Sequence, residues 1–424
     1  MSRSMKDHSP MENSTADVLI LGAGPAGLRA ALECAGLGLR TIVVEKKREI
    51  GSPIQTSGAT WIEDIVRLGI PPSFCHRIET IRFLSSNEEA RFRNTRKGLG
   101  VLDVRAMLQY LAMEAVRRGA RLRAGTKALR PVLSGNGVRG AVVQNPQGIQ
   151  EEIRAHVTID ATGFASLTAR SLYGFRGYRR FGLGLEYDLC APHWPQQEFV
   201  LLVGSGVAPA GYGWIFPWGS QRVRVGVGLT FPEAKGVDLF ACLKRLLEED
   251  RRFSPFFRES GCLEVHKGVI PGEAFPEDPV ADGLLITGDA AGQASALAGE
   301  GIRFAMEMGL LAARAAAEAV RKGDCRKELL AKAHEQWKKR HGRNFRIALE
   351  INRRMTRFTD SQWDTAVRYL SRLPDRRFLQ FLRTDFNLRL FLSVLARNPG
   401  LVRRKLVRTV LQEFRRSRSG IPAS

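Results

Sequence analysis

Residues 17–27 read Asp17-Val-Leu-Ile-Leu-Gly22-Ala-Gly24-Pro-Ala26-Gly27, and the passage closes fourteen residues later with Thr41-Ile-Val-Val-Glu45. The apolar run at 17–22 predicts a buried strand, the small-residue stretch from Pro25 to Leu37 a helix, and 41–45 a second buried strand. This is a βαβ opening with G-x-G-x-x-G at its first turn. Gly22 permits the tight turn, Gly24 lets the backbone approach a pyrophosphate, and Gly27 lets helix and strand pack closely. The helix start then turns free N–H groups and partial positive charge toward the phosphates. Glu45, at the end of the second strand, is placed to accept hydrogen bonds from adenosine ribose hydroxyls, which disfavours a 2′-phosphate. Taken alone, the motif leaves NAD and FAD both open.

Outward from this unit the chain alternates between helical and extended patterns. A Gly/Pro-containing stretch at 51–58 (GSPIQTSG) precedes a helix expected to start near Thr60 and a mixed region to about residue 100. Asp103 is positioned to cap a helix carrying Met107, Leu108, Leu111, Ala115 and Val116 on its apolar face, and Gly119 stops it. Segments from 121 to 160 read as strands. Between 171 and 265, period-two stretches such as RVRVGVGLTF predict an antiparallel sheet. The strand LLITG from Leu284 leads into small residues and a long alanine-rich helix ending near residue 322. Beyond Gly323 the chain reads as helical and basic, broken at Pro374 and at a turn, Asn398-Pro399-Gly400. The expected fold is α/β, with a Rossmann-type nucleotide-binding domain, an inserted antiparallel-sheet substrate domain and a helical C-terminal region. The nucleotide domain is discontinuous (16–50, 97–170 and 266–323), the substrate domain takes 51–96 and 171–265, and 324–424 forms the basic helical region.

With 424 residues, 44% of them hydrophobic, the chain can bury a large core and is neither fibrous nor disordered. Six cysteines, Cys34, Cys75, Cys190, Cys242, Cys262 and Cys325, form no C-x-x-C pair, so neither a zinc site nor a disulfide framework is indicated and a reducing compartment is expected. The first residues lack a secretory h-region, and no apolar run is long enough to cross a bilayer. The net charge of +22 calls for an anionic partner or a large solvated face. Nucleic acid, anionic lipid and an acidic substrate all satisfy that requirement, but no nucleic-acid motif accompanies the charge.

Two later motifs select FAD. Asp160-Ala-Thr-Gly163, followed by Ser166 and Arg170, resembles the central fingerprint of FAD-dependent hydroxylases and reductases. Gly288-Asp289-Ala-Ala-Gly292 resembles the late GD motif of the same superfamily and is expected to open a helix. The resemblance implies that Asp289 contacts the ribityl chain, that the helix start faces the pyrimidine end of the flavin, and that Arg105 lies near the cofactor. It assigns further cofactor contacts to Ala26, Lys46, Gly163, Gly301 and Ile302. Within that superfamily, Pro209-Ala-Gly-Tyr212-Gly-Trp214-Ile-Phe216-Pro217 is similar to the P-x-x-Y-x-W-x-F-P signature of the geranylgeranyl reductase family. Gly51-Ser-Pro53 and Gly299-Glu300-Gly301-Ile302 agree with it.

Members of that family bind FAD and saturate double bonds of polyprenyl chains. The resemblance therefore implies a polyprenyl lipid or diphosphate as substrate, with electrons from NAD(P)H or a reduced ferredoxin-like carrier. Thr56 stands where many archaeal members have cysteine and Ala296 where many have proline, so no cysteine role carries over. An isolated alkene must receive hydride at one carbon and a proton at the other in a dry, shaped site. Tyr212, Trp214 and Phe216 are expected along the prenyl channel, with Tyr212 the one of the three able to shuttle a proton; Trp214 and Phe216 read equally as sheet core. An FAD-dependent monooxygenase of the aromatic hydroxylase type is the alternative, and a flavin-bearing scaffold without turnover a third. No metal is expected. An amphipathic helix at 401–414, with Arg404, Lys405, Arg408 and Arg415 opposite an apolar face, would lie on an anionic membrane or pack on the protein itself. The expected location is cytoplasmic, with peripheral contact at the inner face of the cytoplasmic membrane.

Overall fold

The computed structural model describes residues 15–94 and 98–397. The helix expected at 401–414, the turn at 398–400 and the basic groups at 403–405 and 415–416 lie outside the described residues.

The first layer is built on five parallel strands in the order Leu284–Ile286, Gln150–Asp160, Thr15–Leu21, Thr41–Glu45 and Arg121–Ala124. The apolar runs Val18–Leu21, Ile42–Val44 and Leu284–Ile286 follow from burial on both faces. Val18 and Ile20 pack under helices together with Leu28, Met107 and Leu111, whereas Leu19 and Leu21 pack on the opposite side with Ala141 and Ile153. The covering helices are Pro25–Gly36, Val104–Arg117 and Ile302–Lys322. Asp103 caps the second as expected, its Oδ1 accepting the Ala106 N–H at 3.0 Å. Gly119, just past that helix, has φ +99°.

The second layer is a seven-stranded sheet in the order Gly261–Pro271, Phe181–Cys190, Arg222–Phe231, Gly211–Gly219, Glu198–Leu202, Thr80–Leu84 and Glu89–Arg93. It is antiparallel throughout except for the parallel pair Glu198–Leu202 with Thr80–Leu84. One face carries Val223, Val225 and Val227 under Cys242, Leu243, Phe253 and Phe257. The other face turns toward the first layer, and the two layers enclose a cavity between them.

Two local expectations are corrected. No helix starts at Thr60: Ala59–Trp61 is a strand paired with Leu99–Leu102, and the helix begins at Ile62. Thr60 and Trp61 are buried, and the pairing satisfies their backbone without a helix. The Gly288 motif opens a single 3-10 turn, Gly288–Ala291, which Gly292 ends at φ +66°, and the long helix starts only at Ile302.

The C-terminal helices Lys327–Met355, Asp360–Ser371, Asp375–Leu382 and Leu388–Arg397 dock on both layers. Buried Arg180 binds Glu233 at 2.8 Å and, through Nε, Asn352 at 3.0 Å. Asp364 accepts from the Ser85 hydroxyl at 2.6 Å and Asp360 from the Ser205 amide at 2.7 Å. Trp363, Val367 and Phe378 complete the core that begins with Phe83, Phe92 and Phe199. Among the described residues no helix is long and apolar enough to cross a membrane.

Candidate functional site

A cavity of about 770 Å³ runs between the layers, from the G-x-G-x-x-G turn to the C-terminal helices. At its first end the lining is almost all main chain and small residues: Gly22, Ala23, Gly24, Ala26, Ala161, Thr162 and Gly163. Gly22 has φ +102°, and a Cβ there would stand 2.4 Å from the Ala161 carbonyl oxygen; a Cβ on Gly27 would stand 1.9 Å from the oxygen of Gly22. Gly27 therefore packs helix on strand and does not itself line the cavity. Gly24 opens the helix with no side-chain cap, Pro25 stands at its start, and no acidic residue occupies its first turn. A Cβ on Gly24 would meet nothing within 4 Å, so the helix start faces open space. That is an anion cradle. Glu45 lines the wall beside it, accepting the amides of Ala23 at 2.8 Å and Lys47 at 2.9 Å, and exposed Lys46 stands at the rim.

In the middle of the cavity Thr287, Gly288 and Asp289 face the segment Ser295–Ile302. Burial pushes the Asp289 carboxyl up to about 6. The long helix points its start, Gly301-Ile302, into the same space and has no side-chain cap. Glu300 lines the wall next to it, with one oxygen held by Arg303 at 2.6 Å and Oε2 buried without a partner. Burial, against the pull of Arg303, holds this carboxyl above the usual range. A long, narrow anionic cofactor with hydroxyls in its middle suits these walls. The uncapped helix starts answer its phosphates and its electron-rich ring, and the small residues leave room for a flat one.

Three expected cofactor contacts are placed elsewhere. The Asp160 carboxylate is fully buried and consumed locally, taking the amides and hydroxyls of Thr162 and Thr168 at 2.6–2.9 Å. It folds the turn that presents Ala161, Thr162 and Gly163 and is off the cavity wall. Gly292 is off it too, since a Cβ there would strike the backbone at Phe275, 2.6 Å away. Arg105 points from the first helical turn to Glu264 at 2.8 Å.

At the far end side chains take over. Phe83, Phe199, Leu201, Trp214 and Phe216 form one wall, and Met355, Trp363, Phe381 and Leu382 from the C-terminal helices close it. Phe199 and Phe216 stack with centroids 3.9 Å apart. Trp214 and Phe216 are thus core and channel wall at once. Tyr212 lines the cavity, but its hydroxyl donates to the Ala298 carbonyl at 2.9 Å, and burial, with the Glu186 charge adding to it, pushes its pKa up to about 12. It anchors the 296–299 segment and holds its proton.

The floor between the two ends was not foreseen. Pairing across four strands places Gly268, Gly184, Gly228 and Tyr212 in one row, and His266, Glu186, Gly226 and Trp214 in the next. A Cβ at Gly226 would lie 2.4 Å from the Trp214 ring, so its absence lets the indole reach over and donate to Glu186 Oε2 at 2.8 Å. Glu186 Oε1 meets His266 Nδ1 at 2.7 Å, and both residues line the cavity while almost wholly buried. The alternation Gly182-Leu-Gly184-Leu-Glu186 already put these residues on one face of a strand. Their partners, 40 and 80 residues away, were not visible in it. Among the described residues no three His, Cys, Asp or Glu groups are arranged to hold a metal ion.

Residues 17–176 match the FAD-dependent oxidoreductase family, and residues 184–270 match the geranylgeranyl reductase catalytic domain. The digeranylgeranylglycerophospholipid reductase of Methanosphaerula palustris is 31% identical over 353 residues, covering 78% of this chain and 85% of its own. The digeranylgeranylglycerophospholipid reductase 2 of Methanopyrus kandleri is 27% identical over 401 residues, 91% of this chain and 98% of its own. The crystal structure of a geranylgeranyl bacteriochlorophyll reductase-like protein from Thermoplasma acidophilum superposes with a TM-score of 0.82 at 24% identity, covering 94% of this chain and 99% of that one, a likeness of fold.

Proposed function

Because this chain belongs to the geranylgeranyl reductase family of FAD-dependent oxidoreductases, we propose that it saturates carbon–carbon double bonds of a polyprenyl, geranylgeranyl-type lipid or diphosphate. One observation carries the reading: the main-chain cradle at Gly22–Ala26 and the aromatic wall at Phe199, Trp214 and Trp363 belong to the same cavity. Reduced FAD supplies a hydride when bound, and this chain supplies everything else. The cradle and Glu45 would hold the adenosine diphosphate half, Asp289 the ribityl hydroxyls, and Gly301-Ile302 the pyrimidine end. The glycine row 268-184-228 leaves room for the Gln55 backbone and the Trp214 ring to lie flat against the sheet. Phe83, Phe199, Leu201, Phe216 and Trp363 exclude water and align the chain, which an uncatalysed encounter in solvent would not do. The Tyr212 hydroxyl, tied to Ala298, keeps the loop beside the ring in place.

Electrons come from NAD(P)H or a reduced ferredoxin-like carrier; one G-x-G-x-x-G motif is present and it is taken by FAD. The charge of +22 supports docking on an anionic membrane at its cytoplasmic face, where such a substrate resides. The test is turnover with dithionite as artificial donor and digeranylgeranylglycerophospholipid in vesicles, read by mass spectrometry. The expected product gains H2 per bond. Oxygen-dependent gain of one oxygen atom instead would transfer the chain to the monooxygenase reading.

A further inference from the structure

Saturation needs a proton as well as a hydride, and the obvious donor, Tyr212, has its hydroxyl committed to Ala298. Next to it on the same floor lies a row of polar groups whose length and placement a structural role does not require. Glu264 is about a quarter exposed, and its Oε2 meets His266 Nε2 at 3.2 Å. His266 Nδ1 meets Glu186 Oε1 at 2.7 Å, and both side chains are 3% exposed. The row therefore runs unbroken from the surface to the cavity wall. Burying a carboxylate and an imidazole in an apolar sheet is costly unless the two share a proton.

Resting on the reductase reading, we propose that Glu186 is the proton donor for alkene saturation and that His266 and Glu264 are the route by which its proton is replaced from solvent. In the step, the His266 Nδ1 proton passes to the Glu186 carboxylate, which delivers it to one alkene carbon as the hydride of the reduced flavin adds to the other. A solvent proton then returns to His266 by way of Glu264. One C=C bond is exchanged for two C–H bonds, the flavin ends oxidised, and the relay ends as it began. Glu186 is the catalytic residue; His266 and Glu264 act through it.

The surrounding charges agree with this assignment. Desolvation pulls the His266 pKa down and Arg224 adds to that, but the Glu186 and Glu264 carboxylates outweigh both and hold it above the usual histidine value. Glu264, although partly desolvated, is kept below the ordinary carboxyl range by His266, Arg105 and Arg222. From the neighbouring strands Asp188 takes Arg222 at 2.9 Å and Arg224 at 3.5 Å, which leaves Glu186 facing His266, Trp214 and Tyr212. The facing loop contributes Gln55, Thr56 and Ser57, none of them titratable in the working range.

The experiment has an arm that requires no turnover. In 15N-histidine-labelled protein, with His266 assigned by loss of its signal in His266→Gln, the imidazole is expected to carry both protons at pH 7. The variant Glu186→Gln should return it toward an ordinary titration. A neutral tautomer at pH 7 in the wild-type protein would overturn the proposal. For the flavin-loaded enzyme, Glu186→Gln is expected to slow lipid saturation about 100-fold or more, the usual scale of a lost general acid, with dithionite reduction of the flavin unchanged. Glu264→Gln, near the surface and the milder change, should slow saturation less than Glu186→Gln does and move the alkaline limb of the pH–rate profile to lower pH. Saturation by Glu186→Gln at the wild-type rate would overturn the relay and leave the reductase reading standing. Wild-type enzyme that reduces no prenyl lipid would overturn the reductase reading itself.

Discussion

The two ends of the cavity recognise by opposite means. At the end beside the G-x-G-x-x-G turn the wall is mostly backbone, presented by Gly22, Gly24, Ala26 and Gly163, and side chains on Gly22 or Gly27 would strike a carbonyl. At the substrate end the wall is side chain, drawn from strands at 80–84, 198–202 and 211–219 and from helices beyond 327. Backbone recognition depends on local geometry and is intolerant of change. A side-chain wall tolerates repacking but depends on distant segments meeting, so damage at the two ends should be read out in different quantities.

The largest effect is expected from Gly27→Val. Its Cβ would stand 1.9 Å from the Gly22 oxygen, so helix and strand must part, at a cost of at least about 3 kcal/mol. Purified protein should carry no flavin, and its melting temperature should drop; full flavin content would show that the cradle is not the nucleotide site. Trp363→Ala attacks the other end. Removing a buried indole costs about 3 kcal/mol, yet flavin content should stay at the wild-type level while KM for the prenyl lipid rises about tenfold or more. Lost flavin with unchanged KM would erase the contrast between the ends.

The boundary between them is sensitive to pH. The folded-state pKa of His266 is raised, so its stabilisation is complete below the unfolded value and is lost as pH rises through the folded one. The melting temperature of flavin-free protein should therefore fall as pH climbs above about 6.5, and His266→Gln should flatten that part of the curve. The smallest effect is expected from Tyr212→Phe. It removes one hydrogen bond, to Ala298, worth about 1 kcal/mol, so turnover should fall less than about tenfold. A drop as large as that of Glu186→Gln would move the proton-donor role to Tyr212.

The same contrast explains what the sequence disclosed. Gly22, Gly24, Gly27 and Glu45 lie within one βαβ unit, and their spacing is a local consequence of what the backbone must do, so cradle and fold class were legible together. The Gly288 motif was read as opening a helix and forms a single turn instead, because Gly292 is required by the approach of the backbone at 273–275, a contact invisible in sequence. Asp160 drew attention as a ligand contact although its oxygens are spent on Thr162 and Thr168. The Glu186–His266 pair and Trp363 carried no signal because each takes its meaning from a strand or helix far along the chain.

A single-turnover reaction tests most directly whether one cavity serves both ends. Enzyme reduced without oxygen is mixed with vesicles containing a geranylgeranyl lipid, and the flavin spectrum and the lipid mass are followed together. The oxidised-flavin band is expected to return at the rate at which the lipid gains H2, one bond per flavin. Flavin that stays reduced until oxygen is admitted, beside lipid of unchanged mass, would contradict the account.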